Sequence, residues 1–271
     1  MRTPGEIRQH YEVEKALADQ LKHAPAAERG QLYGRVYDEL FRRVPTHPQL
    51  TRKEDASARA AAVAERMALL SHFATPDTVF LEIGAGDGSL SRHVATRVRK
   101  CYALDVSKEI LDTASGPNLE PVLSDGCSIP IPAGTVTLAY SYQVMEHIHP
   151  DDAAQQLQNI HTTLARGGMY LCVTPNRLNG PHDVSQFFDP VAQGFHLKEY
   201  TFTELERLFR ATGFSKVKAF VGFSHKYFRM PLVALKALEA LLDVLPHKLR
   251  RRIGNLRGVQ NLLFISIGAV K

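Results

Sequence analysis

The chain has 271 residues, 44% of them hydrophobic, and a net charge of +5. That is enough to bury one sizeable core with decorations, and too modest a charge to demand a polyanionic partner. No apolar run is long enough to span a bilayer, and Met1-Arg2-Thr3-Pro4-Gly5-Glu6 lacks the apolar core of a signal peptide. Cys101, Cys127 and Cys172 show no paired metal spacing, which leaves small core side chains as their reading. A cytoplasmic protein is expected.

Residues 5–74 read as helical. Glu6 to Leu21 is amphipathic, with Ile7, Tyr11, Val13 and Leu17 near one face. Gln31 to Val44 repeats the pattern through Leu32, Val36, Leu40 and Phe41, and Pro45-Thr46-His47-Pro48 breaks it. Ala56 to Phe73 is alanine-rich and helix-forming. By itself this extension, residues 1–74, is a packing appendage or the surface of a homodimer.

Val79-Phe80-Leu81-Glu82-Ile83-Gly84-Ala85-Gly86-Asp87-Gly88-Ser89-Leu90 reads as a buried strand, a glycine turn and the start of a helix. Glycines there permit positive φ and let a ligand lie against the backbone, where helix-start amides face electron-rich groups. The spacing is GxGxG, not the GxGxxG of a dinucleotide fingerprint, and Ser89 stands at the deciding place. A pyrophosphate ligand is thereby disfavoured.

Further strands are predicted at 101–105, 120–124, 136–142, 168–174, 215–222 and 260–269, with helices at 88–97, 107–115, 150–165 and 201–212. The alternation predicts an α/β fold, a mostly parallel, doubly wound, Rossmann-like sheet of seven strands with helices on both faces. Its core spans 75–222, its final strand 259–271. Acids end the second and third strands, at Asp105 and Asp125; a carboxylate after the second strand of such a unit is where a ribose diol is held.

Between the last two strands, 223–258 reads as a helical insertion. Leu235, Leu238, Leu242 and Leu245 keep helical spacing, and His247, Lys248, Arg250, Arg251, Arg252 and Arg257 follow directly. This is a cap on the domain, or a peripheral contact with the inner face of an anionic membrane through 231–257. Nucleic acid is not favoured, because no aromatic stacking series accompanies the cations.

The chain resembles the class I S-adenosylmethionine (SAM)-dependent methyltransferases of the small-molecule type. The resemblance rests on Glu82 to Gly88, Asp105, Asp125-Gly126-Cys127-Ser128-Ile129-Pro130 and Glu146-His147, in that order, over roughly 75–222 and the final strand. It implies SAM as cofactor, held by Glu82, Gly84, Ala85, Gly86, Gly88, Asp105, Val106, Asp125, Gly126 and Cys127. The last strand would enter antiparallel, and the helical prefix would cover the active-site mouth.

A hydroxyl acceptor needs a proton acceptor, and histidine commonly serves. His147 after the fourth strand and His196 after the fifth are the candidates, with His182. The loop from Thr174 to Val184 adds Asn176, Arg177 and Asp183 as substrate contacts. The structural alternatives are a turn cap for Asp183, loop ties for the histidines and a helix-start residue for His147. Glu146 fits a metal-holding acid only loosely, so no metal is expected. Tyr140-Ser141-Tyr142-Gln143 departs from the Asn/Asp-Pro-Pro-Tyr/Phe of enzymes acting on base or amide nitrogens. The expected reaction is therefore methyl transfer to oxygen, or to carbon, of a small-molecule, sugar or lipid-linked acceptor. The alternatives are an RNA- or protein-directed methyltransferase and a non-catalytic binding module.

Overall fold

The computed structural model describes residues 2–48, 50, 55–111 and 115–271. Helix α1 (Pro4–His23) opens on a capping box: Thr3 Oγ1 accepts from the Glu6 amide, and Glu6 Oε2 accepts from Thr3 N at 2.7 Å. Helix α2 (Ala26–Arg43) packs antiparallel to it through Val13, Leu17, Leu21, Tyr33, Val36 and Leu40. Asp55 caps α3 (Ala56–Leu70) by accepting from the amides of Ser57 and Ala58.

Strand β1 (Val79–Ile83) is buried at every position, as befits a central strand covered on both faces. Then come α4 (Ser89–Ala95), β2 (Lys100–Asp105), α5 (Lys108–Leu111), β3 (Leu119–Leu123) and β4 (Val136–Tyr142). Helix α6 (Pro150–Thr163) starts with proline at its first position, and β5 (Leu164–Thr174) follows. Helix α7 (Phe202–Ala211) has a Thr201–Glu204 capping box and leads into β6 (Lys216–Phe223). Strand β7 (Lys226–Met230), helices α8 (Leu232–Asp243), α9 (His247–Gly254) and α10 (Arg257–Leu263), and strand β8 (Ile265–Val270) complete the order.

The sheet runs β3-β2-β1-β4-β5-β8-β6-β7. Strands β1 to β5 are parallel, while β8 lies antiparallel between β5 and β6. Residues of α3 and α4 cover one face and residues of α6, α7 and α8 the other. The chain leaves β1 toward β2 and β3, then returns to β4 on the opposite side. The carboxyl ends of β1 and β4 therefore flank the switch point where open α/β sheets bind ligands.

The doubly wound, mostly parallel sheet agrees with the sequence; β5 begins at Leu164, where the sequence pattern extends the preceding helix to 165, and three further elements differ. The described residues form eight strands, because the chain after β6 folds back as β7 instead of entering a helix. Ser224 and His225 both take positive φ, 48° and 62°, between the paired residues Phe223 and Lys226. That is a two-residue hairpin turn whose usual Asn-Gly signature is missing. Secondly, residues 257–263 are helical, and the last strand begins only at Ile265. Thirdly, the helix expected over 107–115 is seen from Lys108 to Leu111, and 112–114 lie outside the described residues.

Candidate active site

The turn after β1 is shaped by backbone. The amides of Gly84 and Ala85 donate to the Leu104 carbonyl at 2.8 and 3.0 Å, which pins the turn to β2. Gly84 has φ +71°, and a Cβ there would sit 2.5 Å from Val144 Cγ2. Gly86 has φ +56°, and a Cβ there would meet nothing within 4 Å. Both need the left-handed region; the first needs it to pack against the chain after β4, the second opens onto free space. Glu82 lies beneath, 2% exposed, accepting from Ser91 Oγ, with Arg66 4.0 Å away. Burial pushes its carboxyl up to about 7, against the pull of Ser91 and Arg66. It braces the turn from below.

Asp105 ends β2. One carboxylate oxygen accepts from Gly86 N at 2.9 Å, the other from Ser107 N at 3.0 Å. It joins the glycine turn to the next loop. Asp125 closes an Asx turn, accepting from Cys127 N at 2.9 Å and Ser128 N at 2.6 Å. Partial burial raises its pKa, but those amides outweigh it and hold the carboxyl below the usual range. Gln156 and Asn159 of α6 donate to the carbonyls of Gly126 and Cys127, fixing the loop from behind.

Helix α2 lies across these strand tips. Gly30 backs onto the Asp125 side chain and Gly34 onto the Val106 carbonyl. The Tyr33 ring rests on Gly126, and Tyr37 packs 4.7 Å from Phe195 and 6.1 Å from His147, ring centre to ring centre. Positions 30, 33, 34 and 37 form one helical stripe, distinct from the apolar face read from the sequence. Two links hold the helix down. Arg29 grips Asp152 with Nε and Nη2, and Tyr33 Oη accepts from the His149 amide at 2.8 Å while donating to Asp152. Tyr37 and His147 are enclosed by protein, yet both retain accessible surface. Accessible surface therefore remains on both residues, beneath α2 and beside the end of β4.

Across from α2 the site is made of side chains. Gln143, at the tip of β4, takes φ 54°, an uncommon conformation for a residue with a side chain. Glu146 is fully buried: Oε2 accepts from Thr174 Oγ1 at 2.9 Å, and Oε1 has no hydrogen-bond partner. Burial raises its pKa to about 7. His147 Nδ1 donates to the Phe195 carbonyl at 2.9 Å, which leaves Nε2 as an acceptor. Burial pushes this ring down to about 3, so it is neutral at physiological pH. His196 packs edge-on, 4.9 Å from His147, with Nδ1 2.7 Å from Glu199 Oε1. Burial opposes its charge, but the bond to Glu199 and the carboxylates of Glu146 and Asp183 raise it to about 9. It is an imidazolium at neutral pH.

The loop after β5 is tied inward. Asn176 donates to Glu239 and accepts from Leu178 N. The guanidinium of Arg177 is taken up by Asp243 and Glu204. His182 Nε2 donates to the Asn176 carbonyl at 3.0 Å, and its own amide donates to Glu199. Asp183 caps residues 184–187 and accepts from Gly194 N. The structure thus gathers Glu146, His147 and His196 together, while polar atoms of Asn176, Arg177, His182 and Asp183 serve the loop itself. Sequence reading passed over Tyr37, Glu199 and Glu14, which accepts from Phe195 N. Glu199, three residues after His196, carried a local signal; Tyr37 and Glu14 lie far away in sequence and carried none.

Two groups among the described residues bring metal-type ligand atoms within 4.8 Å of one another: Glu146, His147 and His196, and His10, Glu14 and His47. In the second, Arg2 donates to His10 Nδ1 and His10 Nε2 lies 2.6 Å from Glu14, so that group is knit by hydrogen bonds.

Residues 53–219 match the model of a methyltransferase domain, more than half of the chain. The chain belongs to the methyltransferase-domain family, the class I SAM-dependent type. A probable S-adenosylmethionine-dependent methyltransferase of Mycolicibacterium smegmatis is 29% identical over 147 residues, 54% of this chain and 54% of that protein. A counterpart from Mycobacterium tuberculosis is 27% identical over 147 residues, 54% of this chain and 51% of its own length. The chain thus spans about half the length of the curated relatives it matches. A SAM-dependent methyltransferase from Archaeoglobus fulgidus superposes with a TM-score of 0.54 at 17% identity, covering 82% of this chain and 98% of its own. Haemonchus contortus phosphoethanolamine N-methyltransferase 2, solved with phosphomonomethylethanolamine and S-adenosylhomocysteine, superposes at 0.53 and 17% identity, covering 76% and 52%. These two likenesses concern the fold.

The cofactor of this methyltransferase family is SAM, and the residues present suit it. The open side of Gly86 is a cradle that a Cβ would fill, and the Asp105 carboxylate stands beside it.

Proposed function

We propose that the protein transfers a methyl group from SAM to an oxygen of a small-molecule, sugar or lipid-linked acceptor. The observation that carries this reading is Glu146 Oε1, a buried acceptor with no hydrogen-bond partner, brought together with His147 and His196. An acceptor hydroxyl would satisfy it, and leaving a buried polar atom unmet costs free energy.

When bound, SAM supplies a methyl group on an electrophilic sulfonium. The turn from Gly84 to Gly88 would hold the methionine part with its amides. Asp105 would take the ribose hydroxyls, Val106 would flank the base, and Asp125 with the Gly126–Cys127 amides would read its edge. On the far side, His147 would help to orient the acceptor, and Glu146 would receive the proton of its hydroxyl. The imidazolium of His196, braced by Glu199, would balance the charge of Glu146. Helix α2 would keep water out, which strengthens each of these interactions. Alignment of this kind can supply much of a displacement's barrier reduction.

The test uses methyl-labelled SAM with hydroxylated and amine acceptors, the product bond being assigned by mass spectrometry. An ether product is expected, with turnover lost in His147→Ala and S-adenosylhomocysteine affinity kept. Label on nitrogen, or wild-type turnover in that variant, contradicts the reading.

A further inference from the structure

Helix α8 has two faces. One carries Leu235, Glu239 and Leu242, all buried, with Glu239 accepting from Asn176, Phe202 N and Thr203. The other carries Val233, Ala237, Ala240, Leu241 and Val244, all exposed and spaced as one helical stripe. Val233 is 74% exposed, Leu241 69% and Val244 81%. Scattered apolar residues on a surface are ordinary; an uninterrupted stripe marks a place of contact. The charged residues of α8 stay out of it, Lys236 being bonded to Glu206 and Asp243 to Arg177 and Arg250.

The chain then turns at Pro246 into α9 and α10, where exposed Leu249 and Leu256 alternate with cations. Lys248, Arg252 and Arg257 have no hydrogen-bond or ion-pair partner among the described residues. Arg251 donates to the Gln186 carbonyl alone. Beside them opens a cleft of about 710 Å³, lined by His247, Lys248, Arg251 and Arg252 and edged by exposed Phe187. The carboxylate in its lining, Asp189, already accepts from Tyr11. The Nε2 of His247 has no partner.

We infer that α8, α9 and α10 dock the protein on an anionic lipid bilayer. The apolar stripe, with Leu249 and Leu256, enters the boundary between headgroups and acyl chains. Lys248, Arg252 and Arg257 meet lipid phosphates, and the cleft beside them receives a headgroup. Charge decides for this occupant: unpaired cations next to an apolar stripe complement an anionic interface. A second copy of the chain fits worse, because a twofold pairing of the stripes would bring two like-charged clusters together. No helix of the described residues is long and apolar enough to cross a membrane, so the contact is with the surface.

The inference stands apart from the methyl-transfer reading and is tested apart from it. The full chain is sedimented with vesicles of phosphatidylcholine and phosphatidylglycerol at 3:1, and with phosphatidylcholine alone. Binding to the anionic vesicles only is expected, weakening as salt rises. The triple variant K248E, R252E, R257E is expected to bind at least about 100-fold more weakly. The variant L241E, V244E should lose binding while melting and S-adenosylhomocysteine affinity stay as in the wild type. The inference is overturned by absent sedimentation with anionic vesicles at low salt, by equal binding to neutral ones, or by binding that survives both variants. It is overturned equally by a dimer in solution that L241E, V244E dissociates, which would give the stripe to a second copy.

Discussion

The two halves of the carboxyl edge are made of different material. Over β1, β2 and β3 the ligand-facing part is backbone: glycines at positive φ, and amides turned on Asp105 and Asp125. Over β4 and β5 it is side chain: Glu146, His147, His196 and Glu199, packed under Tyr37 and set by carboxylates from three parts of the chain. The first half suits a ligand that does not vary, since amides and a diol-binding acid ask only for one shape. The second can be rebuilt one side chain at a time, as an acceptor-specific region must.

That contrast predicts separable losses. The largest belongs to the β4–β5 half: His196→Gln is expected to slow turnover about 1000-fold with S-adenosylhomocysteine affinity unchanged. Steady-state kinetics beside calorimetry reads this, and a matching loss of cofactor affinity would erase the division. Next is the buried acid under the glycine turn. Glu82 is raised from 4.5 to about 7 by burial, so folding favours its neutral form. Its contribution is full below about pH 4.5 and is lost as pH rises through about 7, a fall of about 3 kcal/mol. Ser91, Arg66, Asp87 and Asp105 are the groups around it. Denaturant unfolding at pH 5 and pH 8 should show that Glu82→Gln removes this part of the decline. An unchanged slope would mean that Glu82 is ionised in the fold.

The glycine turn gives a sharper comparison within the first half. Gly86→Ala places a methyl group in open space, so it should weaken S-adenosylhomocysteine about 100-fold while costing about 1–2 kcal/mol of stability for its φ. Gly84→Ala drives its Cβ into Val144 and should lose stability and binding together. Equal melting losses in the two variants would contradict the assignment of open space to Gly86. The smallest effect is expected at Arg177, whose partners Asp243 and Glu204 are partly solvent-exposed. Arg177→Ala should cost under about 1 kcal/mol in thermal unfolding.

The same division explains what could be read from the sequence. Gly84, Gly86, Asp105 and Asp125 sit at the ends of consecutive strands, and local spacing alone brings them to one edge. Strands β1 to β5 were legible for the same reason, being apolar runs bounded by turns. Tyr37 and Glu14 were not, because they reach the site through the packing of α1 and α2, which no periodicity encodes. The stripe Gly30–Tyr33–Gly34–Tyr37 mixes glycine with tyrosine, so an amphipathic search sees only the Leu32–Val36–Leu40 side. Strand β7 was hidden by a Ser-His turn and by alternating exposed residues at a sheet edge. Arg177 and Asn176 have the chemistry of substrate contacts, yet Asp243 and Glu239, more than sixty residues later, occupy them.

The most direct measurement is a crystal structure with S-adenosylhomocysteine. The account predicts the ribose diol on Asp105, the amino-acid end against Gly86, and the sulfur turned toward His147 beneath α2. A nucleoside found elsewhere on the chain, or one bound away from Gly86 and Asp105, would contradict it.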